Sequence, residues 1–350
     1  MDQAKAEAFA GRLAEVMNGA AIVAFGSVGQ QTGLFDTLAT LPPSTSQELA
    51  SATGLQERYV REWLKGLTVA RVLEYDPATE RYALPPEHAA FLTRAAGADN
   101  FAHLMQYFPL IGRVEPQVVD AFRNGGGVGY EAYENFAELQ RDESAPMYEA
   151  TLVSTILPLA PGLTERLEAG IDVLDVGCGG GHALNVMAQA YPRSRFRGID
   201  FSEEGITLAR EEAERLGLSN ATFMVADARD VTGPFDLITA FDVIHDLAAP
   251  DEVLAAIARG LRDDGVFLMV DINASSNVED NVDHAIGPTL YAFSLFHCMT
   301  VSLAQGGLGL GTAWGKQLAE RMLKEAGFAS VETKEIEGDI FHAYFVASRG

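Results

Sequence analysis

Apolar positions recur at two different periods along the chain, and the change falls near residues 160–170. Before it, the pattern is mostly helical. Ala4 to about Thr40 reads as helix, amphipathic over Leu34-Phe35-Asp36-Thr37-Leu38 and stopped by Leu41-Pro42-Pro43. Ser46 to Ala50 begins a short helix with Ser46 as its cap, and Thr53-Gly54 turns the chain. Glu57 to Ala70 is a second helix, with Val60, Leu64, Leu67 and Val69 expected inside. Val72 to Tyr75 and Arg81 to Leu84 flank Asp76-Pro77-Ala78-Thr79 and predict a hairpin. Helix, turn, helix, hairpin is a winged helix. Asn100 to Gly112 is aromatic-rich, with Phe101, Tyr107 and Phe108, and is expected to be helical until Pro109. Ser144 to Leu159 predicts another helix, and Leu163 to Glu168 a last turn.

After residue 170, short apolar runs alternate with helical patterns. Strands are predicted at Val173–Val176, Arg195–Asp200, Ala221–Ala226, Phe235–Ala240 and Gly265–Ile272, with helices between them. Lys316 to Ala326 is a last helix, and Ser330–Ile336 with Ile340–Ala347 a closing hairpin. Alternating strands and helices imply a parallel α/β sheet. Over forty residues, 273–315, lie between the fifth strand and the last helix, and so long a segment is functional or holds helices of its own.

Composition adds limits. The 350 residues suffice for two domains. Net charge is −24, shared as −9 over residues 1–160 and −15 over the rest. A nucleic-acid surface needs cations to neutralise phosphates, so no nucleic-acid partner is expected, although the second winged-helix helix carries Arg58, Arg61 and Lys65, with Arg71 just beyond it. Two cysteines, Cys178 and Cys298, make no disulfide framework, which points to a reducing, cytoplasmic setting. The longest apolar stretch near the start, Gly19–Gly26, is short for a membrane span, so no membrane is expected.

The chemistry gathers after the first strand of the second half. Val173-Leu174-Asp175-Val176 runs into Gly177-Cys178-Gly179-Gly180-Gly181 and then a helical pattern. Glycines there allow a sharp bend and the close approach of a ligand. The spacing fails the dinucleotide fingerprint at His182, and no Gly-Lys-Ser/Thr follows for a phosphate loop. An ordinary strand–helix corner would have the same glycines. The acids of the next strand ends favour a ligand: Asp200 ends the second strand, placed to accept from ribose hydroxyls, and Asp227 follows the third.

The stretch from Val173 to Gly181 resembles motif I of the class I S-adenosylmethionine-dependent methyltransferases. The resemblance implies a Rossmann-like α/β fold with a seven-stranded, mostly parallel sheet whose last strand is antiparallel, and S-adenosylmethionine as cofactor with S-adenosylhomocysteine as product. Its cofactor-binding positions here are Asp175, Gly177, Cys178, Gly179, Gly181, Asp200, Phe201, Asp227, Ala228, Phe241 and Asp242. Gly33-Leu34-Phe35-Asp36 and Glu48-Leu49-Ala50-Ser51-Ala52-Thr53-Gly54-Leu55 resemble the N-terminal dimerisation domain of small-molecule O-methyltransferases. His245-Asp246 is similar to the His-Asp of plant-type O-methyltransferases, which makes His245 the candidate catalytic base; a ring there also packs on adenosine without being a base. The run Phe296 to Gly307, with Asp283-His284 and Gly311-Thr312-Ala313-Trp314-Gly315, resembles a bacterial family of winged-helix methyltransferases across nearly the whole chain.

The expected organisation is therefore a winged-helix and dimerisation domain at 1–95, connecting helices over the active site at 96–165, and a methyltransferase domain at 166–350 with a substrate insertion at 273–315. Tyr107, Tyr291, His297 and Trp314 are the candidate acceptor contacts. No metal is expected, since His245, Asp246, Asp271, Asp283 and His284 show no ligand spacing. The expected activity is methyl transfer to an oxygen, or a sulfur, of a small molecule by a homodimer. A winged-helix regulator that senses S-adenosylmethionine is the alternative.

Overall fold

The computed structural model describes residues 1–349, and they fall into two compact units, Met1–Arg113 and the chain from Val114 onward. The helix-rich segment 114–165 thus belongs with the second unit.

In the first unit the long opening helix is two helices, Gln3–Thr32 and Leu34–Thr40. Gly33 divides them in the left-handed region at φ 69°, and its N–H returns to Gln30 as a helix C-cap. The next helix, Ser46–Thr53, is capped by Thr45 rather than Ser46: Thr45 Oγ1 accepts from the Glu48 N–H while the Glu48 carboxylate accepts from the Thr45 N–H. Glu57–Val69 buries Val60, Leu64 and Leu67 as expected, but Val69 is 86% exposed because it sits at the free end of the helix. Trp63, on the same helix, meets Phe35 edge-on at 5.0 Å. Both rings close over Gly29, where an added Cβ would stand 2.4 Å from Phe35 and 2.8 Å from Trp63. Strands β1 (Glu74–Asp76) and β2 (Arg81–Ala83) make the antiparallel wing. Arg58 and Arg61 pair with Glu62 and Glu57 on their own helix, which offsets their charge locally. Helices Phe101–Leu104 and Tyr107–Gly112 follow. The second runs through Pro109 because its first turn has no N–H bond for proline to remove.

The opening helix Gln3–Thr32 is long and apolar enough, by length and composition, to cross a membrane. The sequence reading rested on the shorter run Gly19–Gly26 and missed this. The C-terminal end of the helix buries Gly26, Ser27, Gly29 and Gln30 in the unit's own core.

The second unit holds a seven-stranded sheet: β3 (Asp172–Val176), β4 (Arg195–Asp200), β5 (Ala221–Val225), β6 (Phe235–Phe241), β7 (Leu261–Ile272), β8 (Ser330–Lys334) and β9 (His342–Ser348). Their spatial order is β5-β4-β3-β6-β7-β9-β8. β9 alone runs against its neighbours β7 and β8; the other pairs are parallel. β7 begins at Leu261 rather than Gly265, directly after the helix Pro250–Gly260. Side chains alternate between faces. Val173, Leu237 and Leu268 join one core with Leu184, Met187 and Ile206; Leu174, Ile238 and Phe267 join the other with Leu254, Ile257 and Leu323. Both faces are covered, as a parallel sheet requires. The strand order reverses between β3 and β6, and ligands of open α/β sheets bind outside that switch point.

Before the sheet, a helix spans Phe136–Thr151, beginning well ahead of the expected Ser144 and carrying Pro146 inside it. A π turn, Leu152–Ile156, continues it. The insertion 273–315 holds helices Gly287–Phe293 and Met299–Ala304 joined by a π turn.

Candidate active site

The carboxyl ends of β3 and β6 meet so closely that a Cβ on Gly177 would stand 2.3 Å from Val243. Gly177, Gly179 and Gly181 have φ of 69°, 50° and 71°, a conformation that side chains resist. A Cβ on Gly181 would meet Ala209 at 2.5 Å. Between these positions the bend is pinned to β4. Gly177 and Cys178 donate to Ile199 O at 2.8 and 3.0 Å, and Gly179 donates to Asp200 Oδ2 at 2.9 Å.

A cleft opens above this bend in two lobes, of about 290 and 210 Å³, which share Tyr130, Gly177, Asp200, Phe201, Val243 and Asp246. Asp175 and Asp200 line the larger lobe, and Asp200 and Asp227 the smaller. Three successive strand ends therefore present carboxylates to one cleft. Asp175 is buried, accepts from Thr239 Oγ1 at 2.7 Å, and is pushed up to about 7 by its burial. Asp200 is also raised by burial, while the Gly179 and Ser202 amides each occupy one of its oxygens. Each oxygen keeps a lone pair for a hydroxyl. Asp227 is held low by its hydrogen bonds from Arg229 and borders the smaller lobe with Ala228.

The larger lobe is acidic: Glu143, Asp175, Asp200, Glu204, Asp242 and Asp246 face it against the single guanidinium of Arg141. Asp242 is held at φ 53°, and its buried Oδ1 has no hydrogen-bond partner among the described residues. A ligand with a cationic end, an adenosine-like body and little bulk over the bend fits these features. S-adenosylmethionine has an adenosine body and sulfonium and ammonium charges of this kind.

His245 stands one layer behind the cleft wall and is buried, so it is absent from both linings. Its Nδ1 is 2.8 Å from Asp271 Oδ1; a carboxylate only accepts, so Nδ1 carries the proton. Its Nε2 is 3.2 Å from Asp246 Oδ1. Burial alone would push the imidazolium down, yet Asp271 and Asp246 outweigh it and hold His245 well above its ordinary value. Asp246, not His245, reaches the cleft, and Tyr130 Oη donates to its Oδ2 at 3.4 Å.

Of the expected acceptor contacts, only His297 is near this wall. Its ring stacks on Phe136 at 3.9 Å, with Tyr133 edge-on at 4.7 Å, and burial pushes it down to about 4, so it is neutral near pH 7. Trp314 is instead buried behind His245, where its Nε1 donates to Asp271 Oδ1 at 3.0 Å. Tyr291 is 42% exposed, and its Oη accepts from Asn281. Both stand outside the cleft lining. Tyr107 belongs to the first unit, whereas every lining residue comes from the second. Sequence reasoning missed Tyr130, Tyr133, Phe136, Arg141 and Glu143, which carry no motif, and gave Asp271 no role in holding His245.

One set among the described residues could hold a metal ion: ligand atoms of His245, Asp246 and Cys298 lie within 4.8 Å of one another. Burial pushes the Cys298 thiol up to about 12, which keeps it a neutral thiol and a poor ligand. The set is better described as a proton-sharing cluster around one imidazole.

Residues 20–94 match the Rv2258c-like winged HTH domain family, and residues 167–327 match a methyltransferase domain family. A nocamycin O-methyltransferase of Saccharothrix syringae is 35% identical over 133 residues, which is 35% of this chain and 46% of that protein. The chain thus spans less than half the length of this curated relative. The structure of a mitomycin 7-O-methyltransferase superposes over 99% of both chains, with a TM-score of 0.74 and 17% identity. Human N-acetylserotonin methyltransferase, in complex with S-adenosylmethionine, superposes over 99% of this chain and 98% of that one, with a TM-score of 0.71 and 18% identity. At these identities the structural likeness carries the fold.

Proposed function

We propose that this chain, a class I methyltransferase by fold and by its matched domains, moves the methyl group of S-adenosylmethionine to an oxygen of a small molecule. The observation that carries the reading is the cleft above Gly177–Gly181, faced by carboxylates from three successive strand ends. The naming of its relatives as O-methyltransferases favours oxygen over sulfur.

When bound, the cofactor supplies an electrophilic methyl on a sulfonium sulfur. Asp227 and the Ala228 amide take the adenine edge, Asp200 the ribose hydroxyls, and Gly177–Gly181 lies under the amino-acid tail. Phe201 and Phe241 flank this path. Tyr130, Tyr133 and Phe136 give the acceptor an apolar wall and exclude water, which favours alignment for an in-line displacement. The acceptor hydroxyl must lose a proton. His245, held charged between two carboxylates, has no free nitrogen, so the proton passes to the Asp246 carboxylate on the cleft side, and the imidazole beside it balances the charge.

Incubation with methyl-labelled S-adenosylmethionine and fractionated metabolite pools tests this reading. Label should appear in a small molecule and disappear with His245→Ala, while calorimetric binding of S-adenosylhomocysteine survives the substitution. Absence of any heat with either cofactor form refutes the assignment.

Pairing of two copies through the first unit belongs to the same proposal. Phe9, Leu13, Val16 and Met17 lie at helical spacing along Gln3–Thr32 and are all exposed, an apolar stripe suited to a second copy. Light scattering after gel filtration should give twice the 37.6 kDa chain mass, and charged residues at Leu13 and Met17 should halve it.

A further inference from the structure

The helix Phe136–Thr151 turns Gln140, Arg141, Ser144 and Tyr148 toward the larger lobe, and Glu143 joins them there. Glu143 is unlike its neighbours in one respect. Its carboxyl feels burial first and then the charges of His342 and Asp242, with no hydrogen bond among its influences, and it is raised to about 7.

Among the described residues, the cationic influence on it comes from His342, which two other carboxylates already hold. Arg141 runs its stem over Gly180, 3.4 Å from where a Cβ would be, but its guanidinium bonds Asp142 at 2.8 Å. His342 sits between Asp339, 3.1 Å from its Nδ1, and Asp242, 3.4 Å from its Nε2. Asp242 still keeps one buried oxygen unpartnered. Two acids thus line the lobe above the glycine bend, one from the helix and one just beyond β6, and His342 influences both. A desolvated carboxylate without a donor is costly, and an arriving cation relieves it.

We infer that Glu143, together with Asp242, receives the α-ammonium group of the cofactor's amino-acid tail, so that the helix preceding the sheet supplies a cofactor contact as well as a cover. The inference rests on the reading of the cleft as an S-adenosylmethionine site. An ammonium group has three N–H donors, and these two carboxylates supply two of the acceptors it needs inside the lobe above the glycine bend. It also gives the cleft a means of telling the complete cofactor from adenosine fragments, because only the former reaches Glu143.

Calorimetry with two ligands tests it, using S-adenosylhomocysteine, which has the amino-acid tail, and 5′-methylthioadenosine, which lacks it. Glu143→Gln keeps the shape and removes the charge. It should weaken S-adenosylhomocysteine by roughly ten- to a hundredfold and leave methylthioadenosine unchanged. Asp242→Asn should show the same selectivity. Equal binding of S-adenosylhomocysteine by wild type and Glu143→Gln overturns the inference while leaving the cofactor reading intact. Equal weakening of both ligands also overturns it, since it marks a displaced helix rather than a lost charge. A wild-type protein that binds neither ligand removes the cofactor reading and this inference with it.

Discussion

The imidazole of His245 donates from Nδ1 to Oδ1 of Asp271 at 2.8 Å, and both side chains are buried. Asp271 accepts twice more at the same oxygen, from Trp314 Nε1 at 3.0 Å and the Ile272 N–H at 2.8 Å. The carboxylate is therefore fixed before the histidine leans on it. Asp271→Asn should lower stability by about 3–5 kcal/mol, the range for breaking a buried pair. It should also bring His245 down toward neutrality, since one of its two anions is gone. Nitrogen-detected histidine spectra across pH 5 to 9 read this directly. The sign follows from a raised pKa. The stability His245 adds is whole below its unfolded value and is lost as pH climbs through its folded one. In the variant that loss should come at lower pH. An unmoved titration would disprove the account.

Asp175 and Glu143 work against stability in another pH window. Both are raised to about 7 by burial. Between their ordinary values and about 7, the folded chain keeps protons that the unfolded chain has released. Stability from these groups is therefore present at low pH and falls as pH rises toward 7, by ~1.4 kcal/mol per pH unit for each proton held. Asp175→Asn keeps an acceptor for Thr239 and removes one such proton. Urea unfolding at pH 5, 6 and 7 should show a shallower decline than in the wild type.

The glycine bend should tolerate no side chain at Gly177. Gly177→Ala meets both an unfavourable φ of 69° and a 2.3 Å approach to Val243. A loss of about 1–3 kcal/mol in stability is expected, with S-adenosylhomocysteine binding falling below detection. Gly217, also at positive φ but with open space around it, separates the two causes. Gly217→Ala should cost stability and leave binding untouched.

The strand-end acids should rank by what else holds them. Asp200→Ala removes a carboxylate that also pins Gly179, and should weaken S-adenosylhomocysteine at least tenfold. Asp227→Ala acts at a more open position, where Arg229 already claims the carboxylate, and should weaken it less. Calorimetry on both, with His245→Ala as a binding-competent reference, orders them.

The part of the candidate site around the glycine bend was legible because it is local. Asp175, the glycines and Asp200 lie within one strand–bend–helix–strand passage, where spacing alone places them at adjacent strand ends. The succession of strands and helices followed from the alternation of apolar runs, whereas their spatial order did not. The part of the cleft lining that precedes the sheet was not legible for the opposite reason. Tyr130, Phe136 and Glu143 sit in a segment without periodic strands, and Pro146 makes the helix look as if it starts late. Trp314 carried the right chemistry for a pocket wall, but its N–H is spent on Asp271, a pairing 43 residues apart that no local pattern encodes. At Gly33 and Thr45 the misreadings were of a different kind. A left-handed glycine and a reciprocal cap are set by single residues, which a run of helical apolar spacing hides.

The insertion 273–315 is stitched along the segment that bears His245 and Asp246. Ser302 Oγ donates to Leu247 O, the Leu308 amide to Ala248 O and the Gly311 amide to His245 O. None of these bonds involves the Gly177–Gly181 bend or the tips of β4 and β5. The same segment borders the smaller lobe as well, where Leu247 and Ala248 line the cleft beside Gln305 of the insertion itself. On the proposed reading one insertion thus braces both the wall that handles the acceptor's proton and the lobe that takes the adenine, so replacing it wholesale would loosen the grip on the methyl donor along with the choice of product.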